Sequence, residues 1–171
     1  MSDHGEPSYS KGREWLKFLR IDDYIVEFGD ESDRGCAILA ACVLEDFLWA
    51  SLHWRLGQMA DSFIKELAPR RRLNVTISSC GLVGIMSRDE MEDARRLVRI
   101  RNSFAHKLTK RLTFEDEVIV NELRQIKLLN RVISKESHLT GKRWYLFSMA
   151  TLQLHVAQRF VLLDQMCYAE E

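Results

Sequence analysis

Apolar residues recur along this chain at intervals of three and four, the period of a helix, and almost nowhere at the interval of two that a strand requires. The pattern predicts an all-α fold, a single-domain helical bundle of about five to seven helices. A first helix is expected from about Ser10, with Trp15, Phe18, Leu19 and Tyr24 turned inward, ending near Gly29. The second opens after Ser32, a good N-cap residue, and "GCAILAACVL" is apolar on nearly every side, as the central helix of a bundle must be. Its pattern runs on through "MADSFIKEL", with a kink expected near Gly57, until Pro69 ends it.

Beyond Pro69 the run "NVTIS" is the one β-like stretch. With no second strand to pair with, the segment is expected to be a loop followed by a short helix ending near Gly84. Ser87 and Glu90 are spaced as a capping box, and Asp89, Glu90, Glu92 and Asp93 suit the positive end of a helix dipole. That helix ends in "RIRNSFAHK". Thr113 is expected to cap the next one, whose stripe is Ile119, Leu123, Ile126 and Ile133; Gly141 precedes a long last helix with Phe147, Ala150, Leu154, Ala157 and Val161 on one face.

A chain of 171 residues has the length of one ordinary domain, so residues 1–171 are expected to fold as one unit, with 1–10 a disordered tail. No run approaches the roughly 18 consecutive apolar residues that suggest a membrane span. The opening "MSDHGEPSYS" is polar and carries acids, unlike a signal or transit peptide, and a cytoplasmic protein without membrane contact is the expectation. Cys36, Cys42, Cys80 and Cys167 form no C-x-x-C pair and have no histidine at metal spacing. They are expected to be reduced core residues, with no metal site and no cofactor.

Lys and Arg number 25 and Asp and Glu 25, so the whole chain lacks the basic excess of a general nucleic-acid binder. The charges are segregated, however. No acid lies between Ala94 and Phe114, which holds Arg95, Arg96, Arg99, Arg101, Lys107, Lys110 and Arg111; no base lies between Asp22 and Asp33, which holds six acids. Such segregation suits a polyanion site, or the attraction of two copies of the chain.

One arginine is out of place. At 100° per residue from Ala94, the apolar Leu97, Val98, Phe104, Ala105 and Leu108 fall between about 280° and 40°, and Arg101 falls near 340°, in the middle of that face. A buried guanidinium without a partner costs several kcal/mol. The same arithmetic lines Glu45 up with Ile38, Ala41, Trp49 and Leu52, which makes a buried Glu45–Arg101 ion pair the structural expectation. His106 lies about 140° around and roughly 7.5 Å along from Arg101, so the two converge only if the helix breaks at Ala105 or a second subunit completes the site. A guanidinium and an imidazole within a basic strip suit an anionic ligand, and Arg95, Arg99, Arg101, Asn102, His106 and Lys107 are the candidate set.

The segments "ESDRGCAILAACVLEDFL" and "GLVGIMSRDEMEDARRLVRIRNSFAH" resemble the mannitol operon repressors, over most of the chain after about residue 12. The resemblance implies a small, all-helical cytoplasmic transcriptional regulator and carries no catalytic residues. "RNSFAH" also resembles the signature of the HEPN superfamily, an arginine, a polar residue, three more residues and a histidine. That resemblance implies a metal-independent endoribonuclease site at a dimer interface. Arg101 would hold the phosphate, Asn102 would be the polar neighbour, and His106 would act as acid or base on the ribose 2′-OH.

A DNA reader normally presents a helix whose N-terminal turn approaches phosphates. The nearest candidate, "CGLVGIMSRDEMEDARRL", puts four acids in that turn, where they would repel DNA, and the triplet Arg70–Arg72 reads as a solvated loop. The expectation is a homodimeric regulator that works through a protein partner or an anionic ligand rather than by reading DNA alone. The alternative is a HEPN-type ribonuclease or an RNA-binding module using Arg101 and His106. No phosphate loop, nucleophile elbow or zinc motif is present.

Overall fold

The structure, a computed structural model, describes residues 21–56, 63, 66–69, 72–106, 111–132 and 139–168, with 21, 22 and 160–168 described by backbone alone. Seven helices form the described part: α1 (Ile21–Gly29), α2 (Asp33–Leu56), α3 (Leu73–Leu82), α4 (Arg88–His106), α5 (Glu117–Arg124), α6 (Lys127–Val132) and α7 (Gly141–Tyr168). No strand occurs among the described residues, and the all-α bundle read from the sequence is the fold.

α2 is the central helix. Ser32 caps it, its Oγ accepting the Gly35 N–H at 3.0 Å. Cys36, Ala37, Ala40, Ala41, Leu44, Phe47, Leu48 and Leu52 are all buried, against α1, α3, α4 and α7. By length and composition α2 would also pass for a membrane span, a property that core helices share. The expected continuation toward Pro69 falls mainly on residues outside the described set, as do Ser10 to Leu19 of the expected first helix.

The expectation for "NVTIS" is corrected: the helix already begins at Leu73, and Thr76, Ile77 and Cys80 are buried in it. Packing against α2 and α4 overrides the weak β preference of the branched residues. The helix ends as a Schellman motif. Gly84 takes a φ of 78°, Gly84 N–H bonds Gly81 O at 3.2 Å, and Ile85 N–H bonds Cys80 O at 2.8 Å. The capping box of α4 forms: Ser87 N–H donates to Glu90 Oε2 at 2.6 Å and Glu90 N–H donates to Ser87 Oγ at 3.3 Å.

Two further boundaries differ. Asp116, not Thr113, is the N-cap of α5, and Thr113 instead donates its N–H and its hydroxyl to Asp116 Oδ2. The stripe Ile119, Leu123 and Ile126 is buried as expected, but α5 ends at Arg124 and Ile126 lies in the short connection before α6; Ile133 lies outside the described residues. On α7, Ala150 and Ala157 are buried, whereas Leu154 is exposed; the inward positions are Tyr145, Leu146, Met149, Leu152 and Val156. Of the cysteines, Cys36 and Cys80 are buried thiols, while Cys42 is exposed rather than in the core.

Candidate functional site

α4 carries the sequence motif, and its shape decides what the motif can do. The helix runs without a break from Arg88 to His106, with Ala94, Leu97, Val98, Ile100 and Phe104 buried. Arg101 and His106 therefore stay on different sides of it and do not converge within one chain. Arg101 is half-buried and donates from Nη1 to Asn102 Oδ1 at 2.9 Å, and His106 is exposed at the helix end. Arg34 reaches across from α2 to satisfy one of the last carbonyls, Phe104 O, at 2.9 Å.

Contacts at both ends set the register of α2 against α4. Arg34 meets Phe104 at one end; at the other, Cys80 lies against Leu48 O and Gly81 against Met91. The helices are antiparallel, and Arg101 comes level with Ala37. Tyr145 marks the same level, its buried hydroxyl donating to Ala37 O at 3.1 Å. Burial pushes that hydroxyl well above its ordinary pKa, and the positive charge of Arg101 opposes the shift. Glu45 is eight residues beyond Ala37, about 12 Å along the axis. That spacing is why the expected Glu45–Arg101 ion pair is not formed within the chain: Arg101 meets an amide, and Glu45 Oε1 is buried with no hydrogen-bond partner.

The basic strip is also dispersed. Arg95 donates to Ser78 Oγ on α3 at 3.1 Å. Arg99 grips Glu122 of α5 with a two-pronged contact at 3.2 and 3.0 Å, and Arg96 meets the same carboxylate at 3.3 Å and Gln125 Oε1 at 2.6 Å. Burial alone would raise the pKa of Glu122, but the hydrogen bond and charge of Arg99, with Arg96, hold it below the usual value. A stretch that is acid-free in sequence is thus not acid-free in space. Lys107 lies outside the described residues. The acidic stretch is likewise tied down at one end: Asp33 pairs with Lys142 at 3.1 Å and accepts the Phe114 N–H at 3.1 Å.

Sequence reasoning passed over the most buried charges on α4. Glu90 is 2% exposed and Asp93 1%. Glu90 Oε1 accepts from Arg159 of α7 at 2.9 Å, with His155 Nδ1 at 3.9 Å. Asp93 accepts the N–H groups of Lys127 and Leu128 at 3.0 and 2.8 Å, capping α6 from another helix. A signal was available: the wheel that flags Arg101 puts Glu90 near 320°, on the same apolar face. The neighbouring acids are occupied as well. Hydrogen bonds from Lys127 hold Asp89 and Glu92 below their ordinary pKa values, with Arg131 adding to the effect on Asp89. No cluster suited to a metal ion occurs among the described residues.

Compared with family models, with curated proteins and with solved structures, the chain matches none. The resemblances to mannitol operon repressors and to the HEPN superfamily rest on the quoted segments alone.

Proposed function

We propose that this chain is a cytoplasmic regulatory protein, similar in role to the mannitol operon repressors, that acts through a protein partner rather than by reading nucleic acid alone. The observation that carries the reading is the internal use of the α4 charges. Glu122 takes Arg96 and Arg99, Ser78 takes Arg95, and the acids of the first turn are buried or paired. Among the described residues, α4 leaves neither a continuous basic surface nor a free recognition turn for a phosphate backbone. The reading is tested in two arms. In the native host, removal of the gene should alter a small set of transcripts. The purified protein alone should bind promoter fragments of those genes no better than the roughly micromolar level of non-specific contact at physiological salt. Unchanged transcripts would remove the regulatory role, and tight, sequence-specific binding by the protein alone would remove the partner.

Arg101 supports a second reading, a HEPN-type ribonuclease. Its guanidinium is held by Asn102 and meets no carboxylate within 4.0 Å among the described residues, and His106 is exposed five residues on. Completing that site needs a second chain. Incubation with total RNA in EDTA decides it: cleavage leaving cyclic phosphates, lost in His106→Ala, would favour the enzyme, and intact RNA would dismiss it.

A further inference from the structure

Among the described residues, two charges at the α2–α4 groove are left without a charged counterpart. Glu45 Oε1 is buried and accepts no hydrogen bond, and the half-buried Arg101 guanidinium has only the neutral Asn102 amide. Each is a cost that a monomer would bear, because neither has an opposite charge among the described residues to offset its lost hydration. The antiparallel register sets them about 12 Å apart along the axis, with the level of Ala41 midway. Between them α2 turns its most exposed apolar side outward: Leu39 is 39% exposed, Cys42 is exposed and Ile38 is half-buried. Ile38, Cys42 and Glu45 fall within about 60° of one another on the helix, beside the flank from which Arg34 reaches Phe104 of α4.

That layout has the symmetry of a self-complementary surface. A two-fold axis through the midpoint carries the level of Glu45 onto the level of Arg101, and the level of Arg101 onto that of Glu45. We propose that a second copy of the chain docks on this face, about an axis beside Cys42, so that Glu45 of each protomer meets Arg101 of the other. Leu39 and Ile38 are then covered, and the ion pair that the chain cannot make within itself is made twice between copies. The interface goes beyond the regulatory reading and does not depend on it. It also bears on the second reading, since an Arg101 taken up by a carboxylate is not free for a phosphate.

The test uses the full chain and charge reversal, read by sedimentation equilibrium between about 1 and 100 µM. The wild type should be a dimer. Glu45→Arg and Arg101→Glu, each alone, place like charges against one another twice and should weaken dimerisation about a hundredfold or more. A one-to-one mixture of the two variants should dimerise again, because every pair across the mixed interface is then of opposite sign. A pair within the chain could not give rescue by mixing. A wild type that stays monomeric, single variants that dimerise as tightly as the wild type, or a mixture of folded variants that stays apart would each overturn the proposal. Should either variant fail to fold by circular dichroism, a short bismaleimide applied to wild type and Cys42→Ser replaces it. A cross-linked dimer lost in Cys42→Ser supports this face, and a dimer that cannot be linked through Cys42 refutes it.

Discussion

Asp93→Ala is the substitution for which the structure gives the sharpest stability expectation. The side chain is 1% exposed and its two oxygens accept the N–H groups of Lys127 and Leu128, the opening donors of α6. A helix as short as α6 offers few other ways to satisfy its first turn. Alanine removes both acceptors while leaving the donors where they are; the Leu128 N–H is buried and the Lys127 N–H partly so, and a donor left without an acceptor there costs about 1–3 kcal/mol. The expected loss is about 3 kcal/mol, which for a chain of this length lowers the melting temperature by roughly 6–12 °C. Urea denaturation followed by circular dichroism, with the slope checked for constancy, measures it. Asp89→Ala, one turn earlier on the same helix, is the internal control: its contacts with Lys127 and Arg131 are open to solvent, so its effect should be much smaller. A loss below about 1 kcal/mol for Asp93→Ala, at unchanged slope, would refute the claim that α6 is held by a side chain from α4.

Three further outcomes are expected. Gly141→Ala should cost about 2 kcal/mol in the same assay, because a Cβ there would collide with the Phe114 backbone oxygen, which cannot swing aside; wild-type stability would contradict the close approach. Glu122 has a folded pKa below its ordinary 4.5, so its contribution is complete above about pH 4.5 and disappears as pH falls through the lowered value. The melting difference between wild type and Glu122→Gln should therefore shrink in acid, and a difference constant down to pH 2 would count against the pairing. Burial pushes the Cys36 and Cys80 thiols up to about 12, so both should resist alkylation at pH 8 in the folded protein and react on unfolding; rapid labelling of either in the native state would contradict their burial.

Local signals in the sequence located the helices well where chemistry and geometry are both local. Ser32, the Ser87–Glu90 box and Gly84 each act within a few residues, and each does in the structure what its side chain or backbone freedom predicts. Apart from the α5 cap, where Asp116 stands three residues beyond the expected Thr113, the failures came where the deciding partner is distant. "NVTIS" is helical because α2 and α4 surround it, and nothing within five residues says so. The basic strip loses its character to Glu122, more than twenty residues away in sequence. Arg101 stands on the apolar face of its helix and is half-buried there, but which carboxylate it could meet depends on the antiparallel register, which periodicity does not contain. Glu90 meets the same criterion as Arg101, and its partner Arg159 is likewise distant, on α7.

A consequence for dynamics follows from how the helix ends are satisfied. The last turn of α4 is closed by Arg34, the first turn of α6 by Asp93, the start of α7 by Glu115 through the Gly141 N–H, and the end of α1 by Lys142 through Gly29 O and Glu31 O. These four termini borrow their partners from distant parts of the chain, so none of them frays without a tertiary contact opening with it, unlike the locally capped starts of α2 and α4. Amide hydrogens at Lys127, Leu128 and Gly141, which would be the quickest to exchange in helices with local caps, are then protected by the bundle as a whole and released in its larger cooperative openings.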